Sequence, residues 1–259
     1  MALIVDNTTS NTTSNVNTSY SWSHECSTDA TLLVVTAHAN DSASADADVT
    51  GITYNSVALT KADEYFGTTD DLGVDIWYLF SPSSGSNTVE VTHGGKCSYV
   101  GGVATSFEGI YVAGGKDSNA NNTGSTTTPT VTVNCSADVL LVGGFTMEEA
   151  DTTNESCDDT GLALIDIGGQ TGGMGYTTTS ASGNDTVSWT NDVSDNWVTA
   201  GVSFFIDQPP TIALGTNIVD TAEISDTTPT FEFTGTDSDG GNDVTYNVQV
   251  DTVNTFDGE

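Results

Sequence analysis

The sequence predicts an all-β protein: one large antiparallel β-sandwich of two layers, followed by an incomplete second β domain. Three observations carry that expectation. Two related segments, Cys26 to Ala39 (CSTDATLLVVTAHA) and Cys135 to Phe145 (CSADVLLVGGF), each begin Cys-Ser, reach an Asp and enter an unbroken run of Leu and Val. Runs so short and so rich in β-branched residues read as strands buried on both faces, so each half of the chain supplies one inner strand. Gly, Thr, Ser, Asn and Asp dominate the composition while Glu, Lys, Arg and Gln are scarce, which favours strands and turns over helices. Strand-like segments also recur at short intervals between turn-forming clusters.

In chain order, the polar stretch 6–19 (DNTTSNTTSNVNTS) reads as an extended arm or lead-in, so residues 1–19 are set apart from the sandwich. The apolar Ala2-Leu3-Ile4-Val5 at its start either adds a strand to a sheet or frays. Strands are expected at Tyr20 to Glu25, Thr31 to Ala39, Gly51 to Tyr54, Ala58 to Ala62, Val74 to Phe80, Thr88 to Thr92 and Tyr99 to Glu108. Val89 and Val91 alternate with polar neighbours, which gives that strand one wet face, whereas YVGGVATSF carries small residues suited to close-packed neighbours. A Gly- and Asn-rich connection from Gly114 to Gly124 divides the halves. The second half continues with Thr130 to Val133, Val139 to Thr146, Leu162 to Ile167, Gly175 to Thr179, Thr186 to Thr190 and Trp197 to Ile206. Residues 20–207 thus form the sandwich. Gln208-Pro209-Pro210 reads as a linker, and 208–259 supplies too few strands for an immunoglobulin-like domain, which needs about seven.

Thirty-six acidic residues face three lysines and no arginine, a formal net charge of −33. That charge repels nucleic-acid phosphates and anionic membranes and removes the bidentate donors used for phosphate recognition. Compact folding against such self-repulsion points to a salty or calcium-containing medium. The N-terminus MALIVDNTTS lacks the basic region of a secretory signal, and no stretch is long enough to span a membrane as a helix. Either a virus structural protein released by lysis or a piece of a longer surface protein fits this combination.

The succession LLVVTAHA, VTGITYNSVALTKA, VDIWYLFSPSSGSNTVEVTHGG and YVGGVATSFEGI resembles a jelly-roll-like β-sandwich module of bacterial surface proteins and virus structural proteins, over roughly residues 19 to 207. The tail TPTFEFTGTDSDGGNDVTYNVQVD resembles the opening of cadherin-like or fibronectin-type, Ig-like repeats. Together the resemblances imply display, adhesion or assembly. The near-total loss of basic residues and the cysteines depart from that pattern.

Asp237, Asp239 and Asp243, on a turn with Gly240 and Gly241, are the best metal candidates, because closely spaced hard oxygen ligands on a flexible turn suit Ca2+. The cadherin-like resemblance implies the same ion. A second acidic cluster comprises Glu148, Glu149, Asp151, Glu155, Asp158 and Asp159. His24, His38 and His93 are too scattered for a zinc site, no GxSxG marks a nucleophile, and carboxylate pairs abound by composition alone, so no enzyme is assigned. Among the aromatic residues, Trp77 reads as core. Trp197 alternates away from the Val198 face and is the candidate carbohydrate platform, ahead of Trp22, Trp189, Tyr65, Tyr111 and Tyr176. Cys26, Cys97 and Cys135 are expected at one end of the sandwich and Cys157 at the other, which makes a bridge among the first three the better pairing and four thiols its alternative. Asn-x-Ser/Thr sequons stand at Asn7, Asn11, Asn17, Asn40, Asn121, Asn134, Asn154 and Asn184.

The resulting expectation is a non-enzymatic structural or display protein of a virion or cell surface, a decoration, fibre or filament component whose partners are other copies of itself or other subunits. The alternative from another class is an extracellular carbohydrate-binding module that recognises surface glycans, with Ca2+ as its only cofactor.

Overall fold

The computed structural model describes residues 3–16, 18–40, 48–67, 71–148, 156–167, 169–209, 211–214 and 233–236. The chain divides into two compact units, Met1–Asp207 and Gln208–Glu259. In the second, Thr211–Leu214 pairs antiparallel with Phe233–Thr236.

The first half of the larger unit contains β1 (Ile4–Val16), β2 (Ser19–Cys26), β3 (Leu32–Asn40), β4 (Val49–Tyr54), β5 (Val57–Ala58), β6 (Thr60–Phe66), β7 (Leu72–Phe80), β8 (Gly85–His93) and β9 (Cys97–Glu108). After a 3-10 turn at Val112–Gly114 come β10 (Lys116–Gly124), β11 (Thr130–Cys135), β12 (Val139–Met147), β13 (Ser156–Cys157), β14 (Thr160–Asp166), β15 (Thr171–Thr179), β16 (Gly183–Thr190) and β17 (Trp197–Phe205). Every pairing among these strands is antiparallel, as expected for an all-β sandwich.

The number of layers differs from the expectation. The first half forms a complete jelly-roll-like sandwich of its own, with sheets β1-β9-β3-β7-β6 and β2-β8-β4-β5. The second repeats it with β10-β17-β12-β15-β14 and β11-β16-β13. The two five-stranded sheets pack face to face, and the smaller sheets cover their outer sides, giving four layers and three cores. Leu32, Val34, Val74, Ile76, Val103 and Phe107 meet Leu140, Val142, Met174, Ala200, Val202 and Phe204 in the central core. Leu33, Val35 and Ala37 face Ile52, Tyr54, Val89 and Val91 in one outer core. Leu141 and Phe145 face Val131, Val133, Val187 and Trp189 in the other. Unbroken apolar runs at β3 and β12 follow directly, because alternate residues of a middle-layer strand enter different cores.

Four kinds of correspondence relate the halves. Bulges interrupt β6 between Lys61 and Asp63 and β14 between Gly161 and Ala163, and β1 and β10 bulge around Asp6 and Asp117. Phe107 meets Tyr176 edge-on with centroids 5.8 Å apart, and the related pair Phe204 and Tyr78 meets at 5.2 Å. Strand contacts are reciprocal: β1 touches β14 as β10 touches β6, and β9 touches β15 as β17 touches β7. Finally, equivalent residues meet each other, His38 with Thr146 and Thr36 with Gly144, as on the axis of a two-fold dimer. The larger unit is an internal duplication with pseudo-two-fold symmetry.

Two expected non-strand segments are therefore strands. The supposed arm forms β1, paired with β9 from Ile4–Glu108 to Val16–Cys97, and the supposed Gly/Asn connection forms β10 along β17. Both are edge strands whose polar side chains find fixed partners. Asn7 and Asn11 Nδ2 donate to the carbonyls of Glu25 and Ser21, and Asn122 Nδ2 donates to that of Thr130. The smallness of YVGGVATSF is explained at Gly101 and Gly102. A Cβ at Gly101 would stand 2.7 Å from Ile165 and Ile167, and one at Gly102 2.6 Å from Trp22.

Candidate functional site

The acidic side chains nearest the β1 and β10 bulges hold the sandwich layers together. In the first half Asp6 Oδ2 accepts from the Ser27 backbone N–H at 2.9 Å and the Ser106 hydroxyl at 2.7 Å. In the second, Asp117 accepts from the Ser136 N–H and hydroxyl at 2.9 and 2.7 Å and from the Ser203 hydroxyl at 2.9 Å. The repeated Cys-Ser is thus one arm of a duplicated clasp joining the first, second and last strands of each sandwich.

In the first half the clasp extends through His24. Because Ser106 spends its proton on Asp6, its oxygen accepts from His24 Nε2–H at 3.2 Å. His24 Nδ1 then accepts from the Thr9 hydroxyl at 2.8 Å, which accepts from Trp22 Nε1–H at 3.1 Å. A Ser, a His and an Asp are adjacent, but the imidazole donates to the serine instead of removing its proton, the reverse of nucleophile activation. Burial lowers the His24 pKa to about 4, against the raising influence of Asp6. His38 is fully buried between the middle layers. Thr146 donates to the Gly73 carbonyl, so His38 Nδ1–H donates to Thr146 Oγ1 at 3.1 Å and Nε2 accepts from Thr36 at 2.8 Å. Burial lowers its pKa to about 3, although a backbone contact at Phe145 pulls upward.

Lys61 occupies a cage of carboxylates on β6. Its Nζ lies 3.1 Å from Asp75 and 3.6 Å from Asp48, pairs with Glu64, and sits 5.2 Å from the centre of the Trp77 ring. Burial pushes the Asp75 carboxyl up to about 7 although Lys61 pulls it down, while Glu64 and Asp48 raise it further.

Several candidates move. Trp197 is 4% exposed in the second outer core, and its Nε1 donates to Thr126 Oγ1 at 3.2 Å. It packs on Gly124, where a Cβ would lie 2.4 Å from the indole. Its alternation away from Val198 is legible in the sequence, but the face it turns to is another core and not solvent, so it is no sugar platform. Cys26 and Cys97 lie at opposite ends of the first sandwich: Cys26 pairs with Gly85, whereas Cys97 follows the β8 end that pairs with Ser19. About seven strand residues, ~23 Å, separate those ends, and Cys135 lies in the other sandwich's outer core. The expected bridge is replaced by four thiols. Burial raises the pKa of Cys26 and Cys135 and pushes that of Cys157 up to about 11.

Asp237, Asp239 and Asp243 lie outside the described residues, as do Glu149, Asp151, Glu155 and the sequons Asn17 and Asn154. Asp158 accepts from the Thr190 hydroxyl and Asp159 from the Ser188 N–H, both holding β16. Among the described residues no group of three or more His, Cys, Asp or Glu side chains is placed to hold a metal ion. No helix among them is long and apolar enough to cross a membrane. Asn121, Asn134 and Asn184 are exposed, and Asn134 and Asn184 are directly paired across β11 and β16; Asn7, Asn11 and Asn40 are half-buried.

A groove of about 230 Å3 opens on the rim where β1 meets the β14–β15 turn, lined by Thr12, Thr13, Ser14, Tyr99, Asp166 and Ile167. Ser14 pairs with Tyr99 and Thr12 with Gly101, so Thr12, Ser14 and Tyr99 share the face turned toward the second sandwich. Tyr99 is 39% exposed, Asp166 is exposed, and Ile167 is buried at the floor. Asp166 Oδ1 accepts from the Gly169 N–H at 3.1 Å, which fixes the carboxylate on its turn. Sequence reasoning misses Tyr99 and Asp166, since each lies at the end of a strand whose interior is apolar. A smaller, apolar pocket of about 200 Å3 lies beside Cys157, between Leu162, Leu164 and Met174.

Comparison with protein-family models, curated proteins and solved structures finds no match to this chain.

Proposed function

We propose that this protein is a non-enzymatic structural or display component of a virion or cell surface, acting in many copies through assembly and adhesion. The supporting observation is the doubled, four-layer block, in which the conspicuous titratable groups serve the fold: Asp6 and Asp117 clasp strands, and His24 and His38 are locked neutral between hydroxyls. Rigid β blocks with strongly acidic surfaces suit exposed, repeated placement, since like charge keeps copies soluble until a specific contact forms. Jelly-roll-like connectivity supports the same reading by analogy with surface and virion proteins. In this reading the segment after Gln208 is an Ig-like module with Ca2+ at Asp237, Asp239 and Asp243, and the exposed sequons Asn121, Asn134 and Asn184 carry glycans where the host supplies them.

Electron microscopy of the native source, with antibody raised against this chain, tests the proposal. Labelling in a regular array on particles or cell surfaces is expected. Label confined to a soluble monomer without a partner would overturn it.

A further inference from the structure

We propose that the rim groove between β1 and the β14–β15 turn binds a neutral saccharide, with Tyr99 as the ring platform and Asp166 and the Thr12 and Ser14 hydroxyls as hydrogen-bonding groups. This goes beyond the display reading and holds whether or not the protein assembles. The groove combines an accessible phenol ring, one carboxylate held by its own turn and a row of hydroxyls. An aromatic face packs on the apolar face of a pyranose, a carboxylate accepts from paired sugar hydroxyls, and Ser and Thr both donate and accept. Anionic ligands are disfavoured by Asp166 itself and by the net charge of −33.

The pseudo-two-fold axis supplies an internal control. The strand registers place Phe66 and Gly67 where Asp166 and Ile167 stand, and Asn196 where Tyr99 stands. There the Phe66 ring packs against Gly73, and Val198 reaches to 3.4 Å from where a Gly67 Cβ would be. A role only in holding the rims together predicts similar chemistry on both. The equivalent rim has a carboxylate of its own, but it is taken up by the rim, since Glu148 accepts from Asn196 Nδ2 at 3.0 Å. An accessible phenol beside an exposed carboxylate occurs on one rim, which is the divergence expected of a recognition site. About 230 Å3 is less than the ~300–1,000 Å3 of drug-sized clefts, so one ring enters the groove and further residues extend outside it.

The test is an amide NMR titration of the full chain with glucose, galactose, mannose, N-acetylglucosamine and their disaccharides. At least one is expected to bind with Kd on the order of 1 mM, shifting amides of residues 12–14, 99 and 166–167. Tyr99→Ala should raise Kd about tenfold and Tyr99→Phe should restore it, because the ring face is retained. Asp166→Asn, at an exposed position, should weaken binding several-fold while leaving the remaining amide spectrum intact. Silence across the panel, shifts located elsewhere, or an affinity unchanged in both Tyr99→Ala and Asp166→Asn would overturn the site. None of these results alters the particle-labelling outcome, so the two proposals fail separately.

Discussion

Replacing His38 by Gln should remove about 2 kcal/mol of the stability change between pH 7 and pH 5. An imidazole in the unfolded chain titrates near ~6.5, whereas burial holds that of His38 at about 3. Between those values the unfolded state binds the proton and the folded state does not. The contribution is therefore fully present above pH ~6.5 and is lost as pH falls, at about 1.36 kcal/mol per unit, until pH approaches 3. Integrated from pH 7 to pH 5, the loss is about 2 kcal/mol. Protonation would place a proton on Nε2, where the Thr36 hydroxyl now donates, so the charged ring would lose a bond as well as its hydration.

Urea unfolding followed by tryptophan fluorescence, at both pH values and constant ionic strength, measures the difference. The wild-type profile alone cannot assign it, because His24 moves in the same direction while Asp75, raised to about 7, moves oppositely. Asp75 binds its proton more readily in the folded state, so its contribution favours folding as pH falls from 7 toward its unfolded value. The difference between wild type and variant isolates His38. His38→Gln keeps an amide between Thr36 and Thr146, at a cost of about 1–2 kcal/mol at pH 7. Wild-type and variant pH dependences that agree within about 0.5 kcal/mol would refute the burial of a neutral imidazole at this position.

Trp197→Ala should cost about 3–5 kcal/mol in the same urea assay, as a buried indole does; a solvent-facing platform would cost under about 0.5 kcal/mol. Thiol titration with a disulfide reagent should find the native cysteines nearly unreactive at pH 8 and all four reactive after denaturation without reductant, whereas two fewer would reveal a bridge. Lys61→Met should destabilise by about 2 kcal/mol at pH 8, less than for a fully buried pair because Lys61 is partly exposed. The cost should shrink at pH 5, where Asp75, deprived of its cation, is protonated; an equal cost at both pH values would show that the Lys61–Asp75 pair does not carry the effect.

Apolar periodicity exposes most of the strands that have an apolar face, but not the two-residue β13. It conceals β1 and β10, whose Asn, Thr and Ser side chains carry the composition of a linker and acquire strand character from the neighbour they ladder onto. The unbroken Leu and Val at β3 and β12 show that both faces are buried, but alternation does not reveal what buries them. From sequence, four layers therefore read as two, and Trp197 as a solvent-facing residue. The Cys-Ser echo marks the duplication, but its meaning lies in the serine's bond to an aspartate on another strand: Asp6 and Asp117 stand 21 and 19 residues away from Ser27 and Ser136. Tyr99 and Asp166 become neighbours only when the packing of the two halves brings distant strand ends together.

A residue on the axis of a homodimer must meet its own copy, which limits it to side chains that tolerate themselves. Fusion of the two halves in one chain removes that limit. Thr36 places its methyl 3.0 Å from the Cβ position of Gly144, where a second threonine would collide. His38 donates to Thr146, whose own proton goes to Gly73. Two histidines at that contact would crowd the axis, and two threonines would leave it underfilled. The complementary pairs, large with small and donor with acceptor, require two independent sequences. The same independence acts at the rims, where equivalent positions hold Phe66 on one side and Asp166 on the other. Asymmetry at the axis improves packing, whereas asymmetry at the accessible rim leaves a carboxylate, held on its own turn by the Gly169 N–H, beside an exposed tyrosine.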